Sequence, residues 1–455
     1  MNIKKNDIYN IKITDLGTQG EGIGKIEGYT LFVKNTLPGE EVKALVVKAN
    51  KSYGYGKALE IITPSPYRII PPCSFAGKCG GCTIQHLEYS EQLKLKQNKV
   101  KQNIMRIGGF NNIEVEPVIG MDEPYHYRNK AQYPVNSDKN GINMGFYSLG
   151  SHKIVNNDNC LIGSKANSKI LQTIKAFMKS NNISAYNEET GKGLVRHILI
   201  REGFYTNEIM VCLIINSNKF KYKKELLGAL EGIENLKSVV INYNTVKSNV
   251  IMGQKCETIW GQDYITDKIG NLVFKISPLS FFQVNPVQTY KLYSKALEFA
   301  DLKGNETVID AYCGIGSISL FLAQKAKKVY GIEIVPDAID NAIENAKLNN
   351  IKNTEFFAGK SEDVVPKLYN KKGIKADVMV VDPPRKGCDE SLLKLMLNME
   401  SERIVYVSCD SATLARDLKI LCENGTYNIE KVQPVDMFPH SYHVETVCLL
   451  SRKVQ

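Results

Sequence analysis

Short runs rich in hydrophobic and β-branched residues alternate with glycines along the first sixty residues. The runs Ile11–Thr14, Tyr29–Val33 and Glu41–Val47 have the composition of β-strands. Glycines and the pair Pro38-Gly39 separate these runs and are typical of turns. Short, regularly spaced strands of this kind predict a small β-barrel over residues 1–62.

A proline-rich stretch follows and marks a domain boundary at Thr63-Pro-Ser-Pro. Residues 88–107 then predict a basic helix, which Gly108-Gly109 ends. Residues 125–270 mix strand patterns with a helix near 164–180. The sequence therefore predicts a mixed α+β central domain over residues 63–275.

The pattern changes again near residue 277. Continuous apolar runs such as Val378–Val381 and Arg403–Val407 alternate with helical segments. Continuous apolar strands separated by helices are typical of a parallel sheet that is covered on both faces. Residues 276–455 are therefore predicted to form a doubly wound α/β domain.

Composition and charge narrow the class of protein. The chain has no run of 18 apolar residues and no apolar run of signal-peptide length near Met1, so we expect a cytoplasmic protein with no membrane partner. The net charge is +10, and the first 130 residues contain 18 Lys and Arg against 13 Asp and Glu. This excess favours a polyanionic partner, although a merely soluble basic protein would show it too.

A glycine-rich turn in the last domain predicts a nucleoside site. The run Asp310-Ala-Tyr-Cys-Gly-Ile-Gly-Ser follows a strand and opens a helix, and Glu333 ends the next strand. Such a turn lets a cofactor approach the backbone, and the carboxylate suits ribose hydroxyls. Ser319 replaces the third glycine of the dinucleotide pattern, which disfavours a dinucleotide. An ordinary strand–helix turn remains the alternative.

Two further motifs flank the same predicted sheet edge. Asp382-Pro-Pro-Arg-Lys-Gly follows an apolar strand, and its prolines would fix Asp382 at the pocket mouth. Gln283 lies within Phe281-Phe-Gln-Val-Asn, just before the sheet. A rigid surface turn is the alternative for the first motif and a packed aromatic pair for the second.

Cys409 and Glu445 are the candidate reacting groups. Cys409 ends a strand at the predicted ligand edge, and Glu445 lies in the last strand-like segment. A thiolate that attacks uracil C6 makes C5 nucleophilic, and a base must then remove the C5 proton. A buried thiol and a surface acid are the alternatives.

Four other cysteines have the spacing of a metal site. Cys73, Cys79 and Cys82 lie in a glycine-rich segment, and Cys160 lies further along the chain. Four thiolates suit a four-iron cluster or structural zinc, and unligated thiols are the alternative. By contrast, Cys212 and Cys448 lie in apolar runs and are predicted to be buried packing residues.

Five motifs, taken together and in this order, resemble the RNA 5-methyluridine methyltransferase family. They are Phe281-Phe-Gln-Val-Asn-Pro, Asp310-Ala-Tyr-Cys-Gly-Ile-Gly, Asp382-Pro-Pro-Arg-Lys-Gly, Ser408-Cys-Asp-Ser-Ala-Thr-Leu-Ala-Arg-Asp and His443-Val-Glu-Thr-Val. The likeness covers most of the chain and is greatest to the iron–sulfur members that modify large-subunit rRNA.

The resemblance implies a fold, roles and partners. It implies a Rossmann-like class I methyltransferase domain, an N-terminal OB-like TRAM barrel that binds RNA, and a helix 88–107 that packs on the catalytic domain. It implies a monomer that methylates a single-stranded or loop uridine of 23S rRNA. The implied catalytic residues are Cys409 and Glu445, the S-adenosylmethionine residues are Gln283, Tyr312, Glu333 and Asp382, and the [4Fe-4S] ligands are Cys73, Cys79, Cys82 and Cys160, with zinc as the other metal.

The chain departs from the family pattern at two positions, and other functions stay open. Ser411 replaces a proline after Cys409-Asp, which predicts a looser loop, and Ser317 replaces an asparagine that contacts the cofactor in some relatives. A tRNA uridine methyltransferase is the first alternative, although such enzymes generally lack the barrel and the cysteines. A radical enzyme would need a different cysteine spacing, and a non-enzymatic iron–sulfur RNA-binding protein would need neither Cys409 nor Glu445.

Overall fold

The computed structural model describes residues 3–423 and 425–453. The chain divides into two compact units that do not follow chain order. The first comprises the chain up to Lys96 together with Gly145–Asn157 and Phe438–His443, and the second comprises the remainder. Within the described residues, no helix is long and apolar enough to cross a membrane.

The first unit begins with a closed five-stranded barrel, as predicted. Every second residue of its strands points inward, including Ile11, Ile13, Leu31 and Val33, which are all at most 3% exposed. The barrel closes in the order β1-β2-β3-β5-β4. Its strands are β1 (Ile8–Leu16), β2 (Gly22–Ile26), β3 (Tyr29–Lys34), β4 (Glu41–Ala49) and β5 (Tyr53–Thr63).

A mixed sheet of seven strands follows along the chain, with the strand order β12-β11-β10-β9-β6-β7-β8. The two middle strands, β9 and β10, are buried along almost their whole length, including the predicted packing residue Cys212. The helix predicted near 164–180 is present, and the shorter α3 was not predicted. The elements are α1 (Tyr89–Arg106), β6 (Lys130–Asp138), β7 (Gly141–Tyr147), β8 (Ile154–Asn156), α2 (Ala166–Ser180), β9 (Val195–Glu202), β10 (Ile209–Ile215), α3 (Lys223–Leu230), β11 (Leu236–Tyr243) and β12 (Lys255–Gly261).

A second sheet of seven strands forms the predicted doubly wound domain, so the α/β fold class is confirmed. Its order is β17-β16-β15-β18-β19-β21-β20, and only the pairs that involve β21 are antiparallel. The elements from the preceding hairpin onward are β13 (Ile265–Ile269), β14 (Leu272–Ile276), α4 (Pro286–Ala300), β15 (Thr307–Asp310), α5 (Ser317–Ala323), β16 (Lys328–Glu333), α6 (Pro336–Leu348), β17 (Thr354–Ala358), α7 (Ser361–Lys372), β18 (Val378–Val381), α8 (Glu390–Met399), β19 (Arg403–Ser408), α9 (Ser411–Cys422), β20 (Tyr427–Val435) and β21 (Glu445–Arg452).

The central strands of this sheet are buried on both faces. All four residues of β18 are fully buried, as are Ile404–Val407 of β19. Cys448 of β21 is also fully buried, as predicted for a packing residue. Continuous burial explains the unbroken apolar runs in the sequence, because helices cover both faces of a parallel sheet.

Segments from earlier in the chain complete the core of this domain. Val100 and Ile104 of α1 belong to the same hydrophobic cluster as Ile404 and Leu414. The β13–β14 hairpin is joined to α6 because Asn349 Oδ1 accepts a hydrogen bond from the Val273 amide at 2.8 Å. The domain boundaries at 62/63 and 275/276 stay a prediction, since the compact units are assembled from separate stretches of chain.

Candidate active site

The candidate reacting groups lie along one edge of the doubly wound sheet. Asp310 and Glu333 end the parallel strands β15 and β16, and Asp382 and Cys409 immediately follow β18 and β19. Glu445 begins β21, which runs antiparallel to β19, so its first residue lies at the same edge. The strand order reverses between β15 and β18, and ligands of open α/β sheets bind at such a switch point.

The glycine-rich turn after β15 is built on a buried carboxylate. Asp310 is fully buried and accepts hydrogen bonds from Ser319 Oγ at 2.6 Å and from the Tyr312 amide at 3.3 Å. Ser319, the residue that breaks the dinucleotide pattern, thus anchors the turn. Gly316 has a φ of +84°, a conformation that side chains other than glycine rarely adopt.

A cavity of about 480 Å³ opens above this turn. Ligand sites are commonly of this size. Three of the four residues predicted to bind the cofactor line it, namely Tyr312, Glu333 and Asp382. Gln283 is buried but does not line the cavity, whereas Phe281 from the same motif does and is 67% exposed. Sequence reasoning did not single out the lining residues Ile334 and Lys360.

The lining suits a nucleoside. Glu333 Oε2 accepts a hydrogen bond from the Gly314 amide at 3.2 Å, which orients the carboxylate at the rim of the turn. A side chain added at Gly314 would meet no atom within 4 Å, so it would project into the space that the cavity provides. Exposed apolar side chains, Phe281 and Ile334, offer surfaces for a flat base. The residues present therefore fit S-adenosylmethionine.

Cys409 and Glu445 are brought together by strand pairing. Ser408 of β19 is opposite Thr446 of β21 in the antiparallel register. The next step of that register places Cys409 beside Glu445, although 35 residues separate them in the sequence. Cys409 is half-buried and Glu445 is 3% exposed. Glu445 Oε2 has no hydrogen-bond partner, so this buried oxygen is available to a bound molecule.

The electrostatics of the site favour the protonated forms of these groups in the free protein. Burial, and then the carboxyl groups of Glu445 and Asp382, raise the pKa of the Cys409 thiol to about 12. Burial and Asp382 raise the pKa of Glu445 well above its ordinary value. Arg385 opposes both shifts.

Asp382 shares this environment. Burial and the nearby Asp310 raise the pKa of Asp382 to about 7. Perturbed carboxyl groups that converge on a cavity are typical of active sites.

The loop that carries Cys409 is fixed on both sides. Asp410 caps α9 by accepting hydrogen bonds from the amides of Ala412 at 2.9 Å and Thr413 at 3.3 Å. Ser411 is 1% exposed, and its Oγ accepts a hydrogen bond from Asn103 Nδ2 of α1 at 2.8 Å. The expectation of a looser loop at Ser411 is therefore wrong, because the buried hydroxyl ties the start of α9 to α1.

Ser317, the second departure from the family pattern, lines the cavity. Its Oγ is 2.9 Å from the hydroxyl of Tyr293. The position therefore keeps a polar atom at the cavity, although the serine is shorter than asparagine.

A buried carboxylate that sequence reasoning missed joins the two catalytic loops. Asp417 of α9 is fully buried and accepts hydrogen bonds from the Tyr406 hydroxyl at 2.6 Å and the Cys388 amide at 2.8 Å. The Tyr312 hydroxyl is hydrogen-bonded to Cys388 in turn. Asp417 thus connects the helix after Cys409 to the loop after Asp382. Its place in the Ala-Arg-Asp end of the motif was the available signal.

The four predicted cluster cysteines lie in two different units. Cys73, Cys79 and Cys82 lie in the loop before α1 in the first unit, and Cys160 lies before α2 in the second. All four are half-buried. The Gly81 amide donates to Cys79 Sγ at 3.5 Å. Within the described residues, no group of three or more His, Cys, Asp or Glu side chains is assembled as metal ligands.

Comparison with known proteins agrees with this geometry. The profile of the tRNA (Uracil-5-)-methyltransferase family matches residues 88–453, and that of the TRAM domain matches residues 4–59. An uncharacterized RNA methyltransferase of Clostridium tetani is 53% identical over 99% of this chain and 97% of its own length. One from Bacillus cereus is 50% identical over 99% of this chain and 98% of its own.

A solved structure shows the same architecture. The crystal structure of Pyrococcus abyssi tRNA (uracil-54, C5)-methyltransferase in complex with S-adenosyl-L-homocysteine matches with a TM-score of 0.79 and 29% identity. The match covers 97% of this chain and 100% of the archaeal chain. Fold and site thus define an S-adenosylmethionine-dependent RNA methyltransferase. The chain belongs to the tRNA (uracil-5-)-methyltransferase family and begins with a TRAM domain.

Proposed function

We propose that this enzyme methylates C5 of a uridine in 23S rRNA through a covalent adduct between Cys409 and uracil C6. The observation that carries the proposal is the register of β19 and β21, which places Cys409 beside Glu445. Asp382, whose carboxyl group raises the pKa of both groups, lines the nucleoside-sized cavity. A thiol and a buried carboxyl group at one point are what this substitution needs.

Cys409 is the nucleophile in this proposal. Its thiol proton passes to a base or to solvent, the thiolate sulfur forms a bond to C6, and the electrons of the C5=C6 double bond move toward O4. Bound S-adenosylmethionine supplies the methyl group that C5 then takes. Because the thiol has a pKa of about 12 in the free protein, the attack requires that a base or a positive charge stabilise the thiolate. The guanidinium group of Arg385 supplies such a positive charge, because it partly offsets the rise in the pKa of the thiol.

Glu445 is the base that completes the reaction. Its carboxylate takes the C5 proton, the electrons of that bond re-form C5=C6, and Cys409 leaves as a thiolate. The raised pKa of Glu445 suits this role, because a carboxylate with a higher pKa is a stronger proton acceptor once it is ionised. The unpartnered Oε2 is the atom we assign to the proton transfer.

The cavity residues are assigned to S-adenosylmethionine. Glu333 binds the ribose hydroxyls, Tyr312 and Asp382 line the site near the reacting atoms, and Gln283 supports it from the buried segment before α4. Lys360 and Lys386 also line the cavity and provide positive charge for the cofactor's carboxylate.

A uridine in tRNA is the second candidate substrate, and one observation favours it. The Pyrococcus tRNA enzyme matches 97% of this chain, a span that must include most of the barrel. The barrel therefore does not separate rRNA enzymes from tRNA enzymes, contrary to the expectation from sequence. The case for 23S rRNA then depends on the four cysteines.

Mapping 5-methyluridine in a deletion strain decides between the two RNAs. We expect a 23S rRNA position to lose 5-methyluridine, and the signal to return with the wild-type gene but not with the Cys409→Ala gene. Sequencing-based mapping should cover rRNA and tRNA from the same cells. Loss that is confined to tRNA would replace the rRNA proposal with the second candidate.

We propose further that Cys73, Cys79, Cys82 and Cys160 bind a [4Fe-4S] cluster. The support is the donor set of four half-buried thiols, and the amide of Gly81 donating to Cys79, a contact that stabilises cluster-bound sulfur. Methyl transfer and proton removal need no electron transfer, so the cluster would have a structural role.

Metal analysis tests the cluster. Protein purified without oxygen should be brown and contain about four iron atoms per chain, and Cys79→Ser should lose the colour and the iron. Cys256→Ser, which changes another half-buried thiol, should keep both. A colourless protein with one zinc would show that the site is a zinc site.

A further inference from the structure

Three aromatic rings form an exposed cluster on the outside of the barrel. Phe32 of β3 lies between Tyr53 and Tyr55 of β5, with ring centroids 6.1 and 5.7 Å away, and the two tyrosine rings are 5.8 Å apart. Tyr53 is 39% exposed and Tyr55 is 37% exposed. A small barrel has limited apolar surface to spare, so an exposed aromatic cluster indicates a binding function.

Strand register places lysines around these rings. Thr30 is opposite Tyr53, Phe32 is opposite Tyr55, and Lys34 is opposite Lys57 in the β3–β5 pair. Lys48 of β4 is opposite Tyr55, and Lys25 of β2 is opposite Thr30. These positions share the outer face of the barrel, because side chains alternate along a strand.

The charge on this face is mainly positive, although the Glu21 carboxylate lies near the Phe32 ring, since both approach Gly17. The lysines that flank the rings, Lys25, Lys34, Lys48 and Lys57, are exposed, and none of the outward positions of β2, β3 and β5 between residues 23 and 57 is an acid. Lys34 donates to the backbone carbonyl of Leu149 at 3.1 Å. Glu27 lies in the turn between β2 and β3, at the margin of the face.

We infer that this surface, made of Phe32, Tyr53, Tyr55 and the flanking lysines, binds unpaired bases of the substrate RNA by stacking. Aromatic rings next to lysines complement single-stranded RNA, whose bases stack on the rings while its phosphates contact the positive charge. A duplex offers its phosphates but not its base faces. The inference rests on the proposed function because it takes RNA as the partner. It adds the face of the barrel that binds the RNA and the single-stranded state of the bound segment.

The aromatic cluster could instead serve only to stabilise the barrel, since cross-strand aromatic pairs stabilise sheets. The two roles predict different outcomes for conservative substitutions. A leucine keeps an apolar contact with the neighbouring strand but has no flat face, whereas a phenylalanine keeps both.

Binding of two RNAs to the full-length protein tests the inference. Fluorescence anisotropy without S-adenosylmethionine should compare an unstructured 12-nucleotide RNA with a 12-base-pair RNA duplex. We expect the double variant Tyr53→Leu/Tyr55→Leu to bind the single strand about tenfold more weakly or worse, and the duplex almost as the wild type does. Tyr53→Phe/Tyr55→Phe should bind both RNAs normally. Tyr205→Leu, which changes an exposed tyrosine of the second unit, is the matched control.

A lysine variant separates stacking from charge. Lys57→Gln should weaken binding of the single strand and the duplex by similar factors and reduce the salt dependence of both. Two outcomes would overturn the stacking role if the melting temperature is unchanged. In the first, the leucine double variant binds the single strand as tightly as the wild type does. In the second, its binding of the duplex weakens by the same factor as its binding of the single strand. If the leucine variant instead melts earlier while binding normally, the cluster is only structural. Covalent adduct formation by Cys409 at saturating RNA should survive in the leucine variant, so the two proposals can fail separately.

Discussion

Replacing Cys409 with alanine should abolish both methyl transfer and the covalent RNA adduct. The thiol follows β19 at the sheet edge, and the strand register places it beside the buried Glu445. Without its sulfur, uracil C5 has no activating bond at C6 and is a poor nucleophile. The measurements are transfer of a radioactive methyl group to RNA and a shifted protein–RNA band on a denaturing gel.

Cys422→Ala is the matched control, because it removes another half-buried thiol from the same helix region. It should retain normal methylation.

The wild-type reaction also has an expected pH dependence. Since the pKa of the Cys409 thiol is raised to about 12, the thiolate fraction below that pH increases about tenfold per pH unit. Adduct formation in a single turnover should therefore become faster as the pH rises through neutrality. A fully active Cys409→Ala enzyme would exclude the covalent mechanism.

Replacing Glu445 with glutamine should stop the reaction after the methyl group has been transferred. Glutamine preserves the shape of the side chain in its buried position but cannot accept the C5 proton, so Cys409 cannot leave. General-base removal typically slows a reaction by about 10²–10⁴-fold. We expect a methylated protein–RNA adduct to accumulate, seen as methyl label in the shifted gel band.

Glu430→Gln, on the neighbouring strand β20 and exposed, should leave turnover unchanged. If Glu445→Gln turns over normally, another group accepts the proton, and Asp382 is the next candidate because its pKa is raised to about 7. An unlabelled adduct would instead show that Glu445 acts before methyl transfer.

The fold was predictable where burial is periodic or continuous. The β-rich run Tyr29–Val33 and the unbroken apolar run Val378–Val381 each reflect a strand environment that the chain encodes locally. The short helix α3 was missed, since its few apolar positions, Leu226 and Leu230, give a weak periodic signal.

Parts of the site could not be predicted from local patterns in the sequence. Ser411 suggested a loose loop, but its hydroxyl is bound by Asn103, which lies 308 residues earlier. Asp417 was assigned no role from the sequence, and its buried contacts with Tyr406 and Cys388 arise only in the folded chain. Such contacts join residues distant in sequence, so no short motif reports them.

The sequence by itself determined the strand-end position of Cys409, the glycine-rich turn after Asp310 and the order of motifs that identifies the family, because each depends on neighbouring residues. Only the tertiary structure decided that Glu445 lies beside Cys409, because that depends on β21 running antiparallel to β19. Only the tertiary structure showed the raised pKa values of both groups, since burial and nearby carboxyl groups cause them. The sequence supplied the reacting groups, and the pairing of two strands brought them to one point.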